Sequence, residues 1–480
     1  MRKSLLALAM VVAFPAAFAQ MQTNGVEIYG IVDIGAEFID NGTWTNLLGQ
    51  TGDVKVNRIT SGISTGSRWG IRGREDLGGG YSAIFTLESR IEIDTGAMQN
   101  NGATFFCSTA AVPGVSTPVA SCPGIGSTLV FPLPPPIDTA TNRFLVAAGN
   151  NAVNASLLSA VSTVNSPNAL FDRQAYAGLI TPFGAILAGR QYTPGYETFV
   201  KYNSFFDSFA GNPGQLATIN LRANNAVQYR AELKGFTFAA MYGFGGAEGI
   251  AGGRSERTTP PTNGDDFWGV ELQYATERFG IAGAYQQNRT VPYQSTQNLK
   301  GLETYNIGAW VGFGPVKVYG HYLSSKNENP VFTPAQIQGL VLANATNPNA
   351  LATIQGIILS QYLNRWDVNA LRGVAGPTDA DVYHLGLEWA FQTGRLIAAY
   401  NHAEDSSRSP WATADAKVDS FALAYYYYLS KRTWLYAAAA YANNSDQSRV
   451  ALGAACCVGG WTGNFGENSQ NIQVGMRHSF

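Results

Sequence analysis

Charge is scarce in this chain of 480 residues: Asp, Glu, Lys and Arg together make up 13%, about half of the ~25% usual in soluble domains. The balance is nearly neutral, with 31 basic and 33 acidic residues, which excludes nucleic acid as a partner. Histidine is rarer still. His321, His384, His402 and His478 are the full set, and none stands in an H-E-x-x-H motif or beside a nucleophile elbow. Of the four cysteines, Cys107 and Cys122 are spaced C-x14-C, and Cys456 and Cys457 are adjacent with no nearby histidine. Neither arrangement suits a metal site. The glycines of LGGGY (77–81) lack the lysine of a P-loop and read as a tight turn. No metal, no cofactor and no enzymatic activity is expected. Beyond the first twenty residues, no apolar run reaches the roughly 18 residues of a transmembrane helix.

What the chain does have is aromatics and glycine: 23 Tyr, 25 Phe and 53 Gly. Apolar residues recur in segments of about ten that alternate with polar ones, the period of a strand with two unlike faces. SRWGIRGRED sets Trp69, Ile71 and Gly73 against Arg68, Arg72 and Arg74, and DVYHLGLEWAF sets Tyr383, Leu385, Leu387, Trp389 and Phe391 against His384, Gly386 and Glu388. Short turns (LGGG, TPFG, KG, ERFG, GP, QTG, SKR) alternate with long connections at 40–66, 94–171, 193–223, 246–264, 291–300, 327–380, 406–416 and 445–467. Sixteen strands follow, an even number within the range of bacterial outer-membrane barrels. Closure is required because an open sheet edge cannot sit in lipid. The predicted fold is therefore an all-β, 16-stranded antiparallel transmembrane barrel with short periplasmic turns and long extracellular loops.

The two ends of the sequence fit export. Arg2 and Lys3, an apolar run from Leu5 and the small residues before Gln20 predict a cleaved signal peptide over 1–19. The closing NIQVGMRHSF alternates up to Phe480, so the last residue is expected to be docked in a strand rather than frayed.

SRWGIRGREDLGGGYSAIFTLES, LFDRQAYAGLITPFGAILAGRQYTP, GFTFAAMYGFG, LSKRTWLYA and GMRHSF together resemble the trimeric general porins of Gram-negative outer membranes, in particular the betaproteobacterial branch. The resemblance spans the chain apart from about 95–170 and 327–378. It implies a homotrimer in outer-membrane lipid, passive diffusion of small hydrophilic solutes and ions through a water-filled channel, and a third loop (193–223) folded inward as the constriction. It also implies that Phe480 is a signal read by the outer-membrane insertion machinery. The enlarged loops 94–171 and 327–380 leave open an alternative, a barrel acting chiefly as a surface adhesin or receptor. The short stretches QIQGLVLANA and LATIQGIILSQYL within the second of them are predicted to be amphipathic helices.

The residues expected at the constriction are Arg68, Arg72, Arg74, Arg173 and Arg230, with Glu88, Glu197 and Asp207. A charge facing lipid costs about 2–4 kcal/mol at mid-membrane, so the pleat turns these arginines to water. In the resembling porins, arginines at the positions of Arg68 and Arg173 belong to a basic ladder. A third ladder position is Gln228 here, with Arg230 two residues on along the same face. A weak to moderate anion preference is expected. Cys107 and Cys122 are expected to form a disulfide in this oxidising compartment. For Cys456 and Cys457, a vicinal bridge and pairing elsewhere both remain open.

Overall fold

The computed structural model describes residues 24–45, 51–96, 108–110, 119–121, 170–206, 208–216, 219–244, 247–249, 267–288, 301–327, 368–372, 374–375, 377–408, 414–453 and 460–480. Seventeen long antiparallel segments form the wall: β1 Gly25–Thr45, β2 Thr51–Ser61, β3 Arg68–Gly78, β4 Tyr81–Arg90, β5 Gln174–Thr181, β6 Gly184–Tyr192, β7 Asn220–Leu233, β8 Phe236–Gly243, β9 Phe267–Ala275, β10 Phe279–Asn288, β11 Glu303–Phe313, β12 Val316–Asn327, β13 Thr378–Phe391, β14 Gly394–Asp405, β15 Ala416–Tyr428, β16 Thr433–Asn444 and β17 Ser469–Ser479; a short strand, Ala247–Gly249, continues the stave of β8 alongside β7. From β3 onward each pairs with the next in sequence. The sheet closes where β17 meets β1, in a register running from Ile31 opposite Ser479 to Asp40 opposite Gln470.

Seventeen segments make sixteen staves because β2 and β3 are one stave in two pieces. β1 pairs with β3 over Gly25–Ile31 and with β2 over Ile34–Thr45. Between the pieces, residues 62–67 leave the wall and tuck inward. Gly62 turns the chain at φ 74°, a conformation that favours glycine. The tuck is held by Asp33, whose carboxylate accepts the Ser64 and Thr65 N–H groups, each at 3.2 Å, and the Tyr436 hydroxyl at 2.8 Å. This corrects the sequence-based boundaries. The connection expected over 40–66 is strand on both sides, and β1 and β2 are joined through 46–50. The strand was hidden in TGDVKVNRITS because Asp53, Lys55 and Asn57 stand on its outward face near the rim, where polarity is tolerated.

Elsewhere the alternation sorts cleanly. Outward positions carry exposed apolar residues, among them Ile307, Leu385, Phe421, Leu423, Ile472 and Val474. So much exposed apolar surface would drive a water-soluble protein to aggregate, and it matches a lipid-facing band. Aromatic clusters mark its borders: Trp268–Tyr285–Tyr305 near one end, and Trp389–Phe391–Tyr425 near the other. In the YYYY run, Tyr425 and Tyr427 face outward and Tyr426 and Tyr428 inward. Inward positions are polar and buried, including Glu88, Glu271, Gln286, Asn306, His321, His384, Asn401 and Gln473. Among the described residues, no helix is long and apolar enough to cross a membrane.

Phe480 is docked. It exchanges backbone hydrogen bonds with Gly30, at 3.1 and 3.2 Å, and its ring lies over Gly30, where a Cβ would come within 2.3 Å of it.

Candidate functional site: the lumen and its inner loop

After β6 the chain turns into the barrel. Thr193 caps helix α1 (Pro194–Lys201): its hydroxyl oxygen accepts from the Tyr196 N–H, and Pro194 occupies the first turn, where no N–H is needed. From there to residue 216 the described residues lie against the inner wall and are fastened around most of the ring. Gln286 accepts from Gly195 N–H at 2.9 Å, and Asn306 donates to Gly195 O at 3.0 Å. The Thr198 hydroxyl donates to Glu271. Ser204 N–H donates to His384 Nε2 at 3.1 Å, and Phe209 N–H donates to Ile63 O in the tuck at 2.9 Å. Ala210 N–H donates to Gln473, and Asn401 donates to Gly211 O at 2.8 Å.

Small residues on the wall make room for this seat. A Cβ at Gly308 would meet Tyr202 at 2.4 Å, and one at Gly386 would meet the Ser204 hydroxyl at 2.2 Å. Phe199, Phe205 and Phe209 are buried beneath the segment. The loop thus combines an apolar underside with a ring of wall hydrogen bonds, so it is part of the packed interior.

Facing the loop, the staves β3 to β7 carry a concentration of arginine. Arg68 donates to Thr65 and Gly66 O and lies 3.9 Å from Glu88. Arg173 donates to the same carboxylate at 2.8 Å and to the Tyr192 hydroxyl at 2.7 Å. Tyr29 also donates to Glu88. Arg90 pairs with Glu92. Arg190 donates to Asp172 O and Asn224, and Arg222 lies over the Tyr192 ring at 4.9 Å. All five arginines are buried, and the carboxylates among them are Glu88, Glu92 and Asp172. This wall holds five positive charges against three negative.

Arg230 stands in a different setting. It is 2.7 Å from Glu197 on α1, 3.1 Å from Glu232 and 3.5 Å from Glu271, with Lys201 near Glu197. Three carboxylates around one arginine and one lysine leave this sector slightly acidic. Gln228 is buried on the same inward face. Toward the short-turn end, Arg72 forms a two-pronged pair with Glu27, and Arg74 donates to Ser82.

The structure therefore brings Arg68, Arg173 and Glu88 together, and Arg230 and Glu197 together at a second point. Arg72 and Arg74 lie further along the lumen. Asp207, Cys107, Cys122, Cys456, Cys457, residues 1–19 and the expected helices between 327 and 367 lie outside the described residues. Arg90, Arg190 and Arg222 join the basic wall without having been singled out in the sequence. Arg90 could have been found from the parity of YSAIFTLESR, since it shares a face with Glu88. Arg190 and Arg222 could not, because the β6–β7 register shifts between Gly189 and Gln191. Two of the four histidines, His321 and His384, are opposite each other on β12 and β13. His384 is fixed by Asn401 at 2.7 Å and serves as an anchor of the inner loop.

Comparison with known proteins agrees with this architecture. The family model for Gram-negative porins matches residues 7–447. Outer membrane porin protein 32 of Delftia acidovorans is 24% identical over the whole of both chains, and an outer membrane porin protein of Bordetella pertussis is 38% identical over 22% of this chain and 28% of its own. Among solved structures, an anion-selective porin from Comamonas acidovorans superposes with a TM-score of 0.58 at 20% identity, covering 95% of this chain and 99% of its own. OmpT of Vibrio cholerae, in a trimer form, superposes at 0.51 and 12% identity with the same coverage. A sixteen-stave barrel with a lipid-facing exterior and a polar interior thus meets a family match over most of the sequence, and the chain belongs to the Gram-negative porins, channels of the outer membrane.

Proposed function

We propose that this porin passes small hydrophilic solutes with a weak to moderate preference for anions, and that it works as a homotrimer without catalytic activity or cofactor. The observation that carries the preference is the arginine-rich wall of β3 to β7, where Arg68, Arg90, Arg173, Arg190 and Arg222 outnumber Glu88, Glu92 and Asp172. In a narrow channel bounded by low-dielectric walls, the sign in excess sets the ion concentration. Arg68 and Arg173 are the main contributors by this reading. Arg230 adds little, because Glu197, Glu232 and Glu271 surround it.

The loop 193–223 is read as the element that narrows the lumen, with Glu197 at its surface toward Arg230. Selectivity in the Comamonas porin named above has the same sign, which supports the reading. A trimer form is known for the Vibrio structure, and the outward apolar band leaves room for such packing. Residues 1–19 are taken as a leader removed on export, 94–171 and 327–380 as enlarged extracellular loops, and Phe480 as an assembly signal. Zero-current potentials across a planar bilayer in a potassium chloride gradient test the preference. A potential of the sign set by chloride is expected, and the opposite sign would reject it.

A further inference from the structure

Below the inner loop, on the staves β14 to β17 that close onto β1 beside β3, lies a second basic feature that the constriction does not use. Trp434, the second residue of β16, faces the lumen near the short-turn, periplasmic end. The Arg477 guanidinium lies over its ring at 4.6 Å, and that of Arg395 lies 6.0 Å from it. Arg395 also covers Tyr426 at 4.5 Å and Phe206 of the inner loop at 5.4 Å. Tyr428 adjoins Trp434 at 5.3 Å, and both rings are half-buried, so each keeps surface toward the lumen.

The charges here are incompletely matched. Arg395 is buried and has Glu388 at 3.6 Å, but that carboxylate also accepts the Tyr319 hydroxyl at 3.0 Å. Arg477 has no carboxylate within ion-pair distance among the described residues. The nearby Asp33 is already satisfied by Tyr436, Ser64 and Thr65. The Nε atoms of Arg395 and Arg477 have no hydrogen-bond acceptor. A guanidinium without a carboxylate partner favours an anion arriving at its open Nη side.

We propose that Arg477, Arg395, Trp434 and Tyr428 form a subsite for planar aromatic carboxylates on the periplasmic side of the inner loop. The carboxylate takes the Nη donors of Arg477, whose Nε is closed off from the lumen, in the two-pronged geometry guanidinium favours. The ring lies against Tyr428 and Trp434, where aromatic contact adds to burial. Arg395 contributes field and holds Trp434 in place. A compact anion gains only the charge, and a saturated ring loses the aromatic contact.

This inference rests on the anion-preferring channel proposed above. The test uses the full-length porin in planar bilayers carrying a chloride current, with sodium benzoate, sodium cyclohexanecarboxylate and sodium acetate added to the periplasmic side. Benzoate is expected to block half the current at about a tenfold lower concentration than either of the others. Arg477→Gln and Trp434→Leu should each bring benzoate close to acetate while chloride steps persist. If Trp434→Leu yields no channels, Tyr428→Leu takes its place, since it removes one ring of the pair, keeps the Arg477 and Arg395 contacts of Trp434, and should weaken benzoate block in the same direction. Equal block by all three salts, or unchanged benzoate block in variants that still conduct, overturns the subsite. Absence of chloride steps in the parent would instead reject the channel reading.

Discussion

Glu88 is the carboxylate on which the arginine wall is assembled, and replacing it separates stability from selectivity. It accepts Arg173 Nε at 2.8 Å and the Tyr29 hydroxyl at 3.0 Å, and it lies 3.9 Å from Arg68. In Glu88→Gln the side chain keeps its shape and one acceptor oxygen but loses its charge, so two buried guanidiniums lose their counterion. Breaking a buried pair from one side costs about 3 kcal/mol. The same change moves the wall from five positive and three negative charges to five and two. One unit charge about 7 Å from a permeating ion is worth about 0.6 kcal/mol in water and about 2 kcal/mol at the dielectric of a protein surface, with opposite sign for anion and cation, so the anion-to-cation permeability ratio should rise by about sevenfold or more. Zero-current potential in a salt gradient reads the second effect, and the temperature at which the folded form is lost on unheated versus heated gels reads the first. A variant that is less stable and more anion-preferring fits. Unchanged or reduced anion preference in folded Glu88→Gln channels would refute the assignment of this wall as the source of selectivity.

Other outcomes follow from the seat of the inner loop and from the closure of the barrel. Gly386→Val places a side chain where a Cβ alone would be 2.2 Å from the Ser204 hydroxyl, so the loop should lose its His384 anchor, and single-channel conductance should rise or become noisy. Current traces indistinguishable from the parent would show that the loop does not limit flow. Deleting Phe480 removes the ring over Gly30 and the hydrogen bonds at 3.1 and 3.2 Å that tie β17 to β1; the amount of folded protein in outer membranes should fall severalfold on quantitative gels, and full recovery would remove the case for an assembly signal. Asp33→Asn keeps the shape of the group that holds the tuck but replaces an acceptor oxygen with an amide donor facing the Ser64 or Thr65 N–H or the Tyr436 hydroxyl; a loss of about 1–3 kcal/mol is expected in chemical denaturation of the refolded protein, since one buried donor is left unpaired.

The strand pattern was legible because lipid on one side and water on the other impose an alternation that few other folds sustain over so many segments. The last five staves, from DVYHLGLEWAF onward, have inward and outward residues in the parity their sequence shows. Legibility failed where that contrast fades. β2 runs close to the rim with polar residues on both faces, and the tuck at 62–67 depends on Asp33 and Tyr436, which lie 403 positions apart. The site was legible by residue type and obscure by pairing. Arginines facing inward could be inferred from the cost of charge in lipid. That Arg230 would be surrounded by Glu197, Glu232 and Glu271 required the three-dimensional course of the inner loop and the β7–β9 neighbourhood. Arg395 and Arg477 were hidden for the same reason, since their shared partner Trp434 belongs to a third strand.

The sign of the ion preference bears most directly on the proposed channel. In a planar bilayer with a potassium chloride gradient, the parent should give a zero-current potential of the sign set by chloride, and Arg68→Glu with Arg173→Glu should move it toward potassium. A parent potential set by potassium, or a double variant that conducts with the potential of the parent, would contradict an anion-preferring pore governed by the wall of Arg68 and Arg173.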